Sequence, residues 1–184
     1  FLERDIRMAL LGQIGGLTLG GVVSTLVVSL LTVGVGFLLH ELAHKVVAVR
    51  FGQIAAFKAD YRMLGFAIVG GLAGFLFAAP GAVVHRGRIT EREGGLIALA
   101  GPVTNLGLAL VFIVSVLVTQ LAGLRGFLLN LAEMGVQINL LLAGFNMIPF
   151  GPLDGRKVWS WSKVVFGGTV VGVVLFGVAG FAVL

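Results

Sequence analysis

Between Gly20 and Leu39 the chain runs without a single charged residue. Four more apolar blocks follow, at residues 64–84, 95–122, 127–148 and 164–184, and only 127–148 contains a charge, Glu133. Crossing the hydrocarbon core of a bilayer as a helix takes about 20 mostly apolar residues, and each block is long enough. A chain of 184 residues cannot hide five such blocks from water, because a small domain leaves much of its surface solvated. Composition agrees: charged residues are 11% of the chain, where soluble domains carry roughly 25%, and the mean hydropathy is +1.09. A water-soluble enzyme is excluded, and so is a disordered chain, which is poor in aliphatics. The absence of Cys removes disulfides, thiolate ligands and a thiol nucleophile. The net charge of +5 is scattered through short loops and forms no nucleic-acid stripe. The lipid bilayer is the expected partner; a nucleic acid is not.

The pattern predicts an all-α polytopic membrane protein, with a helical transmembrane core and a small interfacial β-sheet. The first span continues as helix from about Gly20 through His44 to about Val49, and residues 8–19 read as part of a shortened preceding span. The sheet is predicted at residues 53–61, where Ala55, Phe57, Ala59 and Tyr61 alternate with Ile54, Ala56, Lys58 and Asp60. Residues 82–89 offer a second short strand. Such an edge belongs near the interface, since unpaired backbone groups are not tolerated in lipid.

Two constellations carry chemistry. At the end of the first span stands His40-Glu41-Leu42-Ala43-His44. Helix positions four apart share a face, so both imidazoles can bind one metal ion while Glu41 reaches a water on it, the arrangement of zinc peptidases. Ionisable side chains at membrane depth cost several kcal/mol unless paired, and three in one turn point to a site. A catalytic zinc usually takes a third protein ligand. The remaining His, His85, reads as a loop or interface residue. The acids are Glu3, Asp5, Asp60, Glu91, Glu93, Glu133 and Asp154. The second constellation, Asn146 to Gly155, selects among them. Pro149 and Pro152 forbid an unbroken helix, Gly151 and Gly155 permit tight turns, and the resulting loop presents Asp154. Asn105 and Asn146 are amides on or beside apolar helices. They serve either as interhelical hydrogen bonds or as contacts to a substrate backbone or oxyanion.

The His-Glu-Leu-Ala-His run in a transmembrane helix, the Gly101-Pro102-Val103-Thr104-Asn105 stretch and the Asn146…Pro149…Pro152-Leu153-Asp154-Gly155 segment together resemble the site-2 protease family of intramembrane zinc metalloproteases. The resemblance covers roughly residues 20–160. It implies that His40, His44 and Asp154 bind zinc (Zn2+), that Glu41 is the catalytic base, and that Asn146 contacts the substrate or oxyanion, with Asn105 open between the two roles. It also implies a core of three helices with a small sheet near the site. Residues 1–184 are expected to form a single transmembrane metalloprotease domain. That domain is expected to lack part of the first span and to carry neither a PDZ nor a CBS domain.

Topology can be read without the family. The ligands meet most easily if the first span and the 127–148 helix run in the same direction. That requires 64–84 to dip into the membrane and return as a hairpin. Lys45, Arg50, Lys58, Arg62, Arg86, Arg88 and Arg92 then share one side with residues 156–163, opposite Arg125, as the positive-inside rule demands. The expectation is a multi-pass protein of the cell membrane with its active site opening toward the cytoplasmic side. The expected reaction is hydrolysis of a peptide bond in a transmembrane protein or peptide substrate. The substrate is held extended against the edge at 53–59, and Glu41 handles the proton. A membrane metal-ion transporter and a non-catalytic membrane scaffold are the competing classes. The oligomeric state is not encoded in any motif.

Overall fold

The computed structural model describes residues 19–59, 81–86 and 89–184. The chain is mostly helical. A continuous helical run covers Leu19–Arg50 and consists of α1 (Leu19–Ser29), a wider π-type turn (Leu30–Gly34) and α2 (Val35–Arg50). After two strands come α3 (Glu91–Leu121), α4 (Phe127–Asn146), the short α5 (Asp154–Trp161) and α6 (Lys163–Val183). Among the described residues, four helices are long and apolar enough to span a membrane: the Leu19–Arg50 run, α3, α4 and α6. Their outward faces carry large apolar side chains, among them Leu38, Leu117, Leu141 and Phe181, which lipid can cover and water cannot.

α3 is the hub, touching α2, α4, α5 and α6. Ile113 and Val116 of α3 pack with Ala132 and Val136 of α4, flanked by Phe176 and Val183 of α6. At the other end Ala98 of α3 packs with Met147 and with Val158 of α5. Residues near the start of α3 therefore meet the end of α4, so the two helices are antiparallel. Against α2, Gly36 lies beside Asn105 and His44 beside Ile97, so α2 and α3 are antiparallel as well. α2 and α4 consequently point the same way, as convergence of the ligands requires.

α3 begins four residues before the apolar block that announced it. Thr90 caps it by accepting from Glu93 N at 3.2 Å while Glu93 Oε2 accepts from Thr90 N at 2.8 Å, which ties off N–H groups that a helix start leaves open. α4 stops at Asn146, three residues short of Pro149. α5 begins at Asp154 after an extended Leu153 (φ −71°, ψ 154°), and was not predicted as an element of its own.

The backbone of β1 (Ile54–Ala59) pairs antiparallel with that of β2 (Gly81–Arg86), from Ile54 opposite Arg86 to Ala59 opposite Gly81. Two strands of six residues are less than a sheet with a buried face, since isolated ribbons are marginal. The predicted interfacial sheet is not established by this ribbon. The predicted hairpin at 64–84 and the partial span at 8–19 fall largely outside the described residues. What the described residues give is the pairing of Ala59 with Gly81.

Candidate metal centre

His40 and His44 lie one turn apart on α2, their rings meeting edge to face with centroids 4.6 Å apart. Asp154 reaches them from the first residue of α5. Its Oδ2 stands 3.2 Å from His40 Nε2 and 3.2 Å from His44 Nε2. One ligand atom from each of the three lies within 4.8 Å of the others. Both imidazoles are buried, 4% and 8% exposed, at a level in α2 about 9–15 Å before its end at Arg50, by the rise of 1.5 Å per residue.

Two glycines let the parts close on each other. A Cβ on Gly101 of α3 would stand 2.5 Å from His40 Nε2 and 2.6 Å from His44 Nε2. Any side chain there would occupy the space into which the two nitrogens point. A Cβ on Gly155 would collide with the Met147 carbonyl. Glycine thus allows α5 to fold back on the end of α4 and carry Asp154 inward. Gly151, at φ +63°, turns the chain between the two prolines.

The outer nitrogens of the rings are engaged. His44 Nδ1 donates to the Ile97 carbonyl at 2.7 Å, and His40 Nδ1 lies 2.6 Å from Asn105 Oδ1. An acceptor at each Nδ1 places the proton there and leaves Nε2 with its lone pair. Three lone-pair atoms, two nitrogens and a carboxylate oxygen, then face one another. Such a group is repulsive unless a cation sits among it. Protons can partly serve: burial pushes the Asp154 carboxyl up, while hydrogen bonding and charge from His40 and His44 pull it down further, to about 2. A divalent metal serves better. Ligand bonds of about 2.0–2.2 Å in a tetrahedron put neighbouring donor atoms roughly 3.3 Å apart, close to the 3.2 Å found here. Donor type, spacing and tautomer all fit zinc.

Glu41 is buried too, 9% exposed, on the turn between the imidazoles and near enough to His44 to interact electrostatically. Asn105 and Asn146 take different places. Asn105 is fully buried and its amide is already committed to His40, Gly36 and Asn139. That geometry sets it against His40, with both amide hydrogens and one lone pair of its oxygen engaged. Asn146, half-buried, donates to the Leu142 carbonyl of its own helix at 2.9 Å. Asn139, which sequence reasoning passed over, is fully buried beside Asn105. Its one signal was an amide in a mostly apolar helix, shared with Asn130, Gln137 and Asn146. A cavity of about 510 Å3 lies alongside, between Thr90, Glu91, the Gly151–Leu153 loop and Trp161. The three candidate ligands do not line it, so the chemistry belongs to the buried cluster behind that loop.

Comparison with known proteins follows the same line. Over 154 residues the chain is 43% identical to "Putative zinc metalloprotease MJ0611" of Methanocaldococcus jannaschii, covering 82% of this chain and 78% of that protein. It is 36% identical over 143 residues to "Putative zinc metalloprotease YwhC" of Bacillus subtilis, covering 70% and 65% respectively. "Putative zinc metalloprotease Rip3" of Mycobacterium tuberculosis is 34% identical over 123 residues, and there the match spans 66% of this chain but only 27% of the relative. No family model matches the chain, and no solved structure matches it.

Proposed function

Since the chain belongs to the site-2 protease-like family of zinc metalloproteases, we propose that it is an intramembrane zinc endopeptidase that hydrolyses peptide bonds of transmembrane substrates. The observation that carries this reading is that His40 Nε2 and His44 Nε2 each lie 3.2 Å from Asp154 Oδ2, with all three ligand atoms within 4.8 Å of one another and both Nδ1 atoms held by acceptors. His40, His44 and Asp154 would hold the zinc. When bound, the ion supplies an acidified water and polarises a carbonyl. Glu41 takes a proton from the attacking water as the new C–O bond forms, and returns it to the amide nitrogen as the C–N bond breaks. Asn105 keeps His40 in the binding tautomer. Asn146 lets go of the Leu142 carbonyl and turns toward the substrate backbone or the oxyanion.

The apolar faces of the four long helices support placement in a membrane. The distribution of basic residues supports an opening toward the cytoplasmic side. A transmembrane helix must unwind before a peptide bond can reach Glu41, and the edge of the β1–β2 ribbon is where extended substrate backbone would pair. A small interfacial sheet in that region is part of this proposal, as is the assignment of residues 1–184 to one protease domain.

The test is cleavage of a membrane-embedded model substrate by the purified chain in lipid vesicles. Zinc-dependent appearance of two fragments in the wild type, absent in Glu41→Gln, is the expected result. Zinc flux without fragments would favour transport instead, and fragments from Glu41→Gln at the wild-type rate would remove Glu41 from the chemistry.

A further inference from the structure

His44 and His40 are fixed by acceptors of different kinds. The partner of His44 Nδ1 is the backbone carbonyl of Ile97, which only accepts and cannot turn round. The partner of His40 Nδ1 is the side-chain amide of Asn105, which after a half-turn offers NH2 where its oxygen had been. One orientation keeps the proton on His40 Nδ1 and frees Nε2 for a metal. The other puts the proton on Nε2 and closes it.

The choice is made at the far end of Asn105. Its Nδ2 lies 3.2 Å from the Gly36 carbonyl and 3.0 Å from Asn139 Oδ1, so both amide hydrogens are used. Asn139 in turn gives its own Nδ2 to the Gly135 carbonyl at 2.9 Å. Turning Asn105 alone would set its oxygen against two acceptors. Turning both amides would set Asn105 against Gly36 and Asn139 against Gly135. Both asparagines are fully buried, 0% exposed, so no water relieves a mismatch, and an unsatisfied buried group costs about 1–3 kcal/mol. The two backbone carbonyls therefore impose one direction on the whole chain of hydrogen bonds, which ends at the tautomer of His40.

We propose that Asn139 is a positioning residue for His40, acting through Asn105 to keep the proton on His40 Nδ1. The inference rests on reading His40 as a metal ligand, but its first readout needs no metal. The full chain, metal-free and labelled with ring-15N histidine, is compared in lipid discs as wild type, Asn139→Leu and Asn139→Asp. The chain has three histidines, so the ring signals are assignable. In the wild type His40 Nδ1 should stay protonated, whether or not Nε2 also shares a proton with Asp154 Oδ2 in the absence of metal. Leu removes the acceptor that holds Asn105, and His40 should become a mixture while His44 is unchanged. Asp in its protonated form accepts from Asn105 with its carbonyl oxygen and donates its O–H to the Gly135 carbonyl as the amide did, and should restore the wild-type signal. Zinc affinity should fall about 10–100-fold in the Leu variant, the range for loss of an outer partner, and recover in the Asp variant. An unaltered His40 signal in Asn139→Leu overturns the proposal. So does a change at both imidazoles, or failure of a folded Asp variant to restore the His40 signal, since each marks a merely structural role. Failure of the wild type to bind zinc would defeat the protease reading while leaving the tautomer result standing.

Discussion

At the scale of single residues the site is a matter of which atoms face inward. His40, Glu41 and His44 were legible because spacing on one helix turn fixes their relation without knowledge of the fold. Asp154 was legible because two prolines and two glycines mark the only broken loop after an apolar helix that ends in a carboxylate. Asn139 was not, because its role depends on α4 lying beside α3, which no local pattern encodes. Two substitutions separate chemistry from binding. Glu41→Gln should keep zinc affinity within about twofold yet lower cleavage by 100-fold or more, the usual scale for losing a proton-transfer group, as single-turnover assays with parallel metal analysis will show. Gly101→Ala puts a methyl 2.5 Å from His40 Nε2. It should weaken zinc binding at least tenfold while helix content by circular dichroism stays unchanged; unimpaired binding would mean the nitrogens do not share that space.

The elements carry these residues to one place by satisfying their own backbones first. Boundaries were readable where apolar blocks end in prolines, as at α4, whereas at α3 a polar cap carries the helix beyond its apolar block. The capping box of Thr90 and Glu93 lies at the exposed start of α3, away from the three ligands. Thr90→Ala should therefore cost about 1 kcal/mol of stability and lower the Tm without changing zinc affinity. Gly155→Ala should do the opposite. A methyl there strikes the Met147 carbonyl and swings the start of α5 outward, so affinity should drop toward that of a two-histidine site while α3 and α4 remain folded. Competition titration against a chromophoric zinc chelator distinguishes the pair of outcomes.

For the whole molecule, the antiparallel register of α3 with both α2 and α4 sends the His-bearing and Asp-bearing ends of the chain to the same face. Four of the apolar blocks are membrane-length helices among the described residues, and the same-direction rule followed from the need for the ligands to meet. The same rule is what predicts a hairpin at 64–84, a segment that lies largely outside the described residues. The native chain lacks Cys, so single-cysteine labelling reports topology cleanly. Cysteines replacing Arg50 and Lys157 should react from one side of sealed vesicles, and one replacing Arg125 from the other. Labelling of Arg50 and Lys157 positions from opposite sides would break the arrangement that brings Asp154 to the histidines.

That meeting is most directly tested by zinc titration of the purified chain beside its His40→Ala and Asp154→Ala variants. One zinc per wild-type chain, with affinity falling by orders of magnitude when either distant residue is removed, is the result this account predicts. Tight stoichiometric binding that survives the loss of Asp154 would contradict it.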